Sequence, residues 1–111
     1  MKIAVASQNR REVTGHLGRC RKFWIYEVGT DRAVAGRHLL ELEKSQSFHE
    51  SSPHAPHPLD SVGLVICAGM GGGVQRRLAA KGIAGLVTQH TDPDAAVAAW
   101  LGGEPQPRNP G

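Results

Sequence analysis

The chain is poor in the features that mark several protein classes. It has only two cysteines, Cys20 and Cys67, in 111 residues. Two are too few for a disulfide scaffold, and a reducing compartment would keep both as thiols, free for a metal. No run of about 18 apolar residues occurs, so no membrane-spanning helix is expected. The opening "MKIAVASQNR" lacks the apolar length and cleavage site of a signal peptide and reads as a first strand, so a cytoplasmic location is expected. No Gly-Lys-Ser/Thr follows the glycine cluster at 69–73, which excludes a Walker loop. The acidic residue and full spacing of a dinucleotide site are also missing. Neither residues 2–6 nor residues 62–68 contain Asp or Glu. Nucleases that hold two magnesium ions need clustered carboxylates, so nucleic-acid cleavage is not expected. Internal repeats are absent.

What is present is apolar periodicity. "KIAVA" (2–6) and "VGLVICA" (62–68) read as buried strands, and "IAGLVT" (83–88) as another. In "KFWIYEV" (22–28), Trp24, Tyr26 and Val28 fall on one face and Phe23 and Ile25 on the other, which predicts an interior strand made of core residues. The turn "GTDR" joins it to "AVAGRHLLEL" (33–42) as a hairpin. Val74, Leu78 and Ala79 have helical spacing, with Gly82 as the stop. "DPDAAVAAWL" (92–101) starts with an Asp cap and a proline at the first helical position. Residues 44–61, rich in Ser, Pro and His, read as a solvated, mobile loop with at most one helical turn near 58–61. Its His49, His54 and His57 could touch a divalent metal, but no cysteine pair accompanies them to make a zinc site. The β–α–β unit from 62 to 88 requires parallel pairing. One α/β domain over residues 1–101 is expected, a mixed and mostly parallel sheet with flanking helices, followed by a disordered tail over 102–111.

Ligands of open α/β sheets sit beyond the carboxyl ends of parallel strands. Two glycine-rich connections leave such ends here, 7–21 and 69–73, and parallel neighbours would bring them to one crevice. The first carries "TGHLGRC", with His16 and Cys20 as candidate metal ligands beside Gly18 and Arg19. Residues 10–22 hold Arg10, Arg11, Arg19, Arg21 and Lys22 against Glu12 alone, an excess that suits an anionic partner. The second carries Gly69, Gly71, Gly72 and Gly73, whose N–H groups could approach an anion at a helix start. Cys67 would lie close beneath. Imidazole and thiolate suit iron and softer metals, and main-chain donors can bond the sulfides of a cluster. Plainer readings stay open: His16 as a brace of its own loop, Cys67 as a small core residue, and the glycines as aids to close packing only. Cys20, in a polar loop, is expected to be exposed.

"MKIAVAS", "HLGRCRKFWIYEV" and "VGLVICAGMGGGVQRRLAAKGI", in this order, resemble the dinitrogenase iron–molybdenum cofactor biosynthesis family. That family includes NifX-like and NafY-like accessory domains and the C-terminal domain of many NifB proteins. The resemblance implies a ribonuclease H-like motif with a five-stranded mixed sheet. It also implies a non-catalytic carrier or chaperone of an iron–sulfur or molybdenum–iron–sulfur cluster, with a donor or acceptor protein of cofactor assembly as partner. The family's loop histidine falls on His16, its glycine on Gly18 with Arg19 following, and its glycine loop on Gly69 to Gly73. Leu17 stands where an aromatic is common and Met70 interrupts the second loop; neither change removes a ligand. The proline-rich middle argues against the helix that many relatives have over 50–61. The competing expectation is a binding module for nucleic acid, or a phosphate-ligand sensor using the 69–73 loop.

Overall fold

The structure, a computed structural model, describes residues 1–103. The tail beyond residue 103 lies outside the described residues; Gly102 and Gly103 form the turn that ends the last helix. The elements run β1 (Lys2–Ala6), β2 (Lys22–Val28), β3 (Val34–Glu41), β4 (Leu64–Cys67), α1 (Gly72–Ala80), β5 (Ala84–Val87) and α2 (Pro93–Leu101). Single 3-10 turns occur at Leu17–Arg19 and Lys44–Gln46.

The five strands form one sheet in the order β3-β2-β1-β4-β5. β1 pairs antiparallel with β2 and parallel with β4; β2 pairs antiparallel with β3, and β4 parallel with β5. Only β2 therefore runs against the other four, which is the mixed, mostly parallel sheet expected and is consistent with a ribonuclease H-like motif. β2 is interior, as its two apolar faces required.

Alternation along each strand divides the core. Ala4, Ala6, Phe23, Ile25, Val65 and Cys67 face α1 and the 44–61 segment. Ile3, Val5, Tyr26, Val28, Leu64 and Ile66 face α2, with Trp24 and Trp100 at the margin. Both helix boundaries follow local chemistry. Gly82, at φ +72, takes the left-handed conformation that ends α1 and lets the Ile83 N–H donate back to the Leu78 carbonyl at 2.9 Å. At the start of α2, Asp92 accepts from the Ala95 N–H at 2.9 Å and Pro93 occupies the first turn.

The 44–61 segment has no helix over 50–61, as expected, but it is pinned rather than loose. Arg77 of α1 is 9% exposed. Its guanidinium donates to the carbonyls of Phe48, Ser51 and Ser52 and to Ser51 Oγ, all within 3.1 Å. One turn on, Lys81 bonds the Ala55 carbonyl and pairs with Asp60 at 3.0 Å. His57 is also structural, not solvated. Its Nε2–H donates to the Gln46 carbonyl at 2.6 Å, its Nδ1 accepts from the Leu59 N–H at 3.0 Å, and its ring stacks on Phe48. Burial holds it below the ordinary imidazole range, so it is neutral.

Candidate functional site

The carboxyl ends of β1, β4 and β5 share one edge of the sheet, and their connections interlock there. The Thr14 N–H donates to the Ala6 carbonyl, and the Ala68 N–H to Thr14. The Val13 N–H reaches the Thr91 carbonyl at 2.8 Å, and the Leu17 N–H reaches Gly69 at 3.3 Å. A Cβ added to Gly69 would lie 2.7 Å from the Gly15 carbonyl oxygen, so the approach of the two loops depends on glycine at that position. The two loops, far apart in sequence, do meet.

Between them lies an open cup of about 430 Å³. From the first loop it is lined by Gly15, His16, Leu17, Gly18 and Arg19, and from the second by Gly69, Met70 and Gly71. Val74 of α1 and His49 of the pinned segment complete the wall. The local cause of this display is Leu17, which is fully buried. It anchors the 3-10 turn in the core and leaves His16 and Arg19, on either side, exposed. Gly18 passes close to Val74, 3.6 Å from where its Cβ would sit.

The electrostatics have one sign. No carboxylate lines the cup, whereas the Arg19 guanidinium does, beside the rings of His16 and His49. Beside it, α1 begins without a side-chain cap: Gly71 is the N-cap residue, and no acidic residue occupies the first turn. The first N–H groups of a helix have no intrahelical acceptor, and the dipole makes that end partly positive. Arg76 adds to this by folding back, with a guanidinium nitrogen 3.3 Å from where a Cβ on Gly72 would sit. Such an arrangement can receive an anion, with imidazole nitrogens available to a metal within it.

The expected site residues divide accordingly. His16, Gly18, Arg19, Gly69 and Gly71 line the cup; Gly72 and Gly73 form the first turn of α1 just outside it. Cys20 is not exposed, contrary to expectation. It is 1% exposed, because Leu17 and Phe23 on either side draw the chain into the core, and its thiol donates to the Lys22 carbonyl at 3.1 Å. Burial pushes the Cys20 thiol up, and pushes Cys67 up to about 11. Neither thiol lines the cup, and both are protonated at neutral pH, so the geometry does not favour them as ligands. Among the described residues, no group of three or more His, Cys, Asp or Glu could hold a metal ion on its own. Sequence reasoning grouped His49 with His54 and His57 in a solvated loop and did not place it at the cup, and it did not single out Arg77. The signal for His49 was Phe48 beside it, an aromatic that had to be buried and so fixed where its neighbour emerged.

The mixed α/β sheet thus carries a glycine-walled cup, lined by His16, Arg19 and His49, at the carboxyl edge of its parallel strands. The chain belongs to the dinitrogenase iron–molybdenum cofactor family, whose model matches residues 1–103. No curated protein matches it. Among solved structures, PH0822 is 18% identical, with a TM-score of 0.75 over 94% of this chain and 91% of that one. A dinitrogenase candidate from Methanocaldococcus jannaschii is 18% identical, with a TM-score of 0.73 over 99% and 97%. The apo form of the orange protein from Desulfovibrio gigas is 17% identical, with a TM-score of 0.66 over 99% and 95%. At these identities the likeness shows the fold.

Proposed function

We propose that the protein is a non-catalytic carrier that holds an anionic iron–sulfur or molybdenum–iron–sulfur cluster in this cup during metallocofactor assembly. The observation that carries the reading is the cup itself, where an exposed imidazole, an arginine and an uncapped helix start converge with no carboxylate among them. Its volume of about 430 Å³ falls within the range of roughly 300–1,000 Å³ usual for small-ligand sites. His16 would ligate a metal of the cargo. Arg19 would offset its charge, and the N–H groups about Gly71 to Gly73 would bond its sulfides. Membership of the cofactor family supports a cargo of this class and a partner protein of cofactor assembly that donates or accepts it. No helix among the described residues is long and apolar enough to cross a membrane.

The test is anaerobic reconstitution with ferrous iron and sulfide, followed by metal analysis and visible spectra. A coloured, stoichiometric complex that weakens at least about tenfold in His16→Ala supports the reading. A protein that stays colourless defeats it. The open α1 start also suits phosphate, so calorimetry against inorganic phosphate and nucleotides tests the competing sensor role.

A further inference from the structure

We propose that His49 is the second imidazole of the cup, so that the cargo is held between two histidines from separate loops rather than on His16 alone. This inference rests on the cluster-carrying reading above.

The 44–61 segment carries three histidines in different states. His57 spends both ring nitrogens on the fold. His54 is exposed and lies outside the cup. His49 lines the cup, its ring exposed and bonded to no protein group among the described residues. The main chain of His49 is nonetheless held from two sides. Its N–H donates to the Gly18 carbonyl at 2.7 Å, which ties it directly to the loop of His16. The preceding residue, Phe48, is buried edge-on to Phe23 at 6.4 Å and stacked on His57 at 5.0 Å. The Phe48 carbonyl and those of Ser51 and Ser52 are gripped by the buried Arg77. The fixed main chain thus sets the position of the imidazole at the cup and leaves its ring nitrogens open to the cargo.

The chemistry agrees. With both thiols buried, the side-chain donors that line the cup are His16, His49 and the thioether of Met70. The Met70 terminus is committed elsewhere, packed 2.9 Å from where a Cβ would sit on Gly85. Two neutral imidazoles can bind iron in a sulfide cluster without adding negative charge, whereas thiolates would add to it.

The experiment uses protein labelled with nitrogen-15 at histidine, reconstituted anaerobically with ferrous iron and sulfide, reduced, and measured by pulsed electron paramagnetic resonance. Two distinct histidine nitrogen couplings are expected in the unsubstituted protein. One should vanish in His49→Ala and the other in His16→Ala, with thermal midpoints unchanged because both rings are exposed. Complete loss of the cluster from a folded His49→Ala protein supports the inference equally. A single coupling, lost in His16→Ala and untouched in His49→Ala, overturns it and leaves the carrier role intact. Failure of the unsubstituted protein to assemble any cluster overturns the carrier reading, and the inference falls with it.

Discussion

The two helices begin at the same edge of the same sheet, yet their amino ends are finished differently. α2 is closed by its own side chains. Asp92 caps it, and Asp94 in its first turn accepts from the Tyr26 hydroxyl at 2.5 Å and pairs with Arg37 at 3.1 Å. Arg37 in turn lies over the Trp24 ring at 4.0 Å. α1 has glycine where α2 has its cap, no acid in its first turn, and Arg76 and Arg19 nearby. Cations at a helix start oppose the dipole, so this end is disfavoured as it stands and improves when an anion arrives. One end is capped by side chains of the fold, and the other has no side-chain cap.

The comparison can be broken most severely through Arg77, which holds the wall of the α1 side in place. Arg77→Ala should lower unfolding stability by about 3 kcal/mol, because it removes a buried network of bonds, and should loosen the 48–52 segment. Urea denaturation and hydrogen exchange read both effects; an unaltered midpoint would show that the clamp is incidental. Gly69→Ala forces the two loops apart and should cost about 2 kcal/mol together with loss of the assembled cluster. Retention of both would mean that the loops need not touch.

Smaller changes sharpen the contrast. Asp92→Ala should cost about 1 kcal/mol and leave cluster binding alone, since it acts at the closed end. The reciprocal change, Gly71→Asp, caps the open end. The position has an ordinary extended backbone, φ −80 and ψ 164, with no atom within 4 Å of an added Cβ. It should gain about 0.5 kcal/mol while binding of the reconstituted cluster falls, because the carboxylate occupies and repels the anion site. A more stable variant that binds as before would refute the idea that the uncapped start is kept for a ligand. The mildest effect is on pH dependence. His57 is depressed in the fold, so the unfolded chain binds the extra proton first. Stability is full above pH 6.5 and declines as pH falls below it, levelling once the folded imidazole also protonates. Thermal midpoints between pH 7.5 and 5 should show this slope, and His57→Asn should flatten it.

Much of this was legible beforehand because it is local. Alternation in Phe23, Trp24, Ile25, Tyr26 and Val28 carried both faces of β2, and Asp92-Pro93 and Gly82 carried the helix ends. The meeting of the two loops followed from parallel pairing of β1 with β4. The state of Cys20 did not follow, since a polar loop gives no sign that buried neighbours will carry one of its members inward. The histidine-rich stretch looked uniform because its residues differ only in partners reached through space.

By itself the order of apolar, glycine and capping residues determined the strands, the helix ends and the edge at which the two glycine loops meet. Periodicity and backbone stereochemistry act over a few residues and leave their mark in the string. Only the folded arrangement decided which histidine is spent and which is free, and which thiols are shut away. Those outcomes depend on burial and on bonds such as Arg77 to Phe48, 29 residues apart, whose acceptor is a main-chain carbonyl that every residue carries and no letter of the sequence distinguishes.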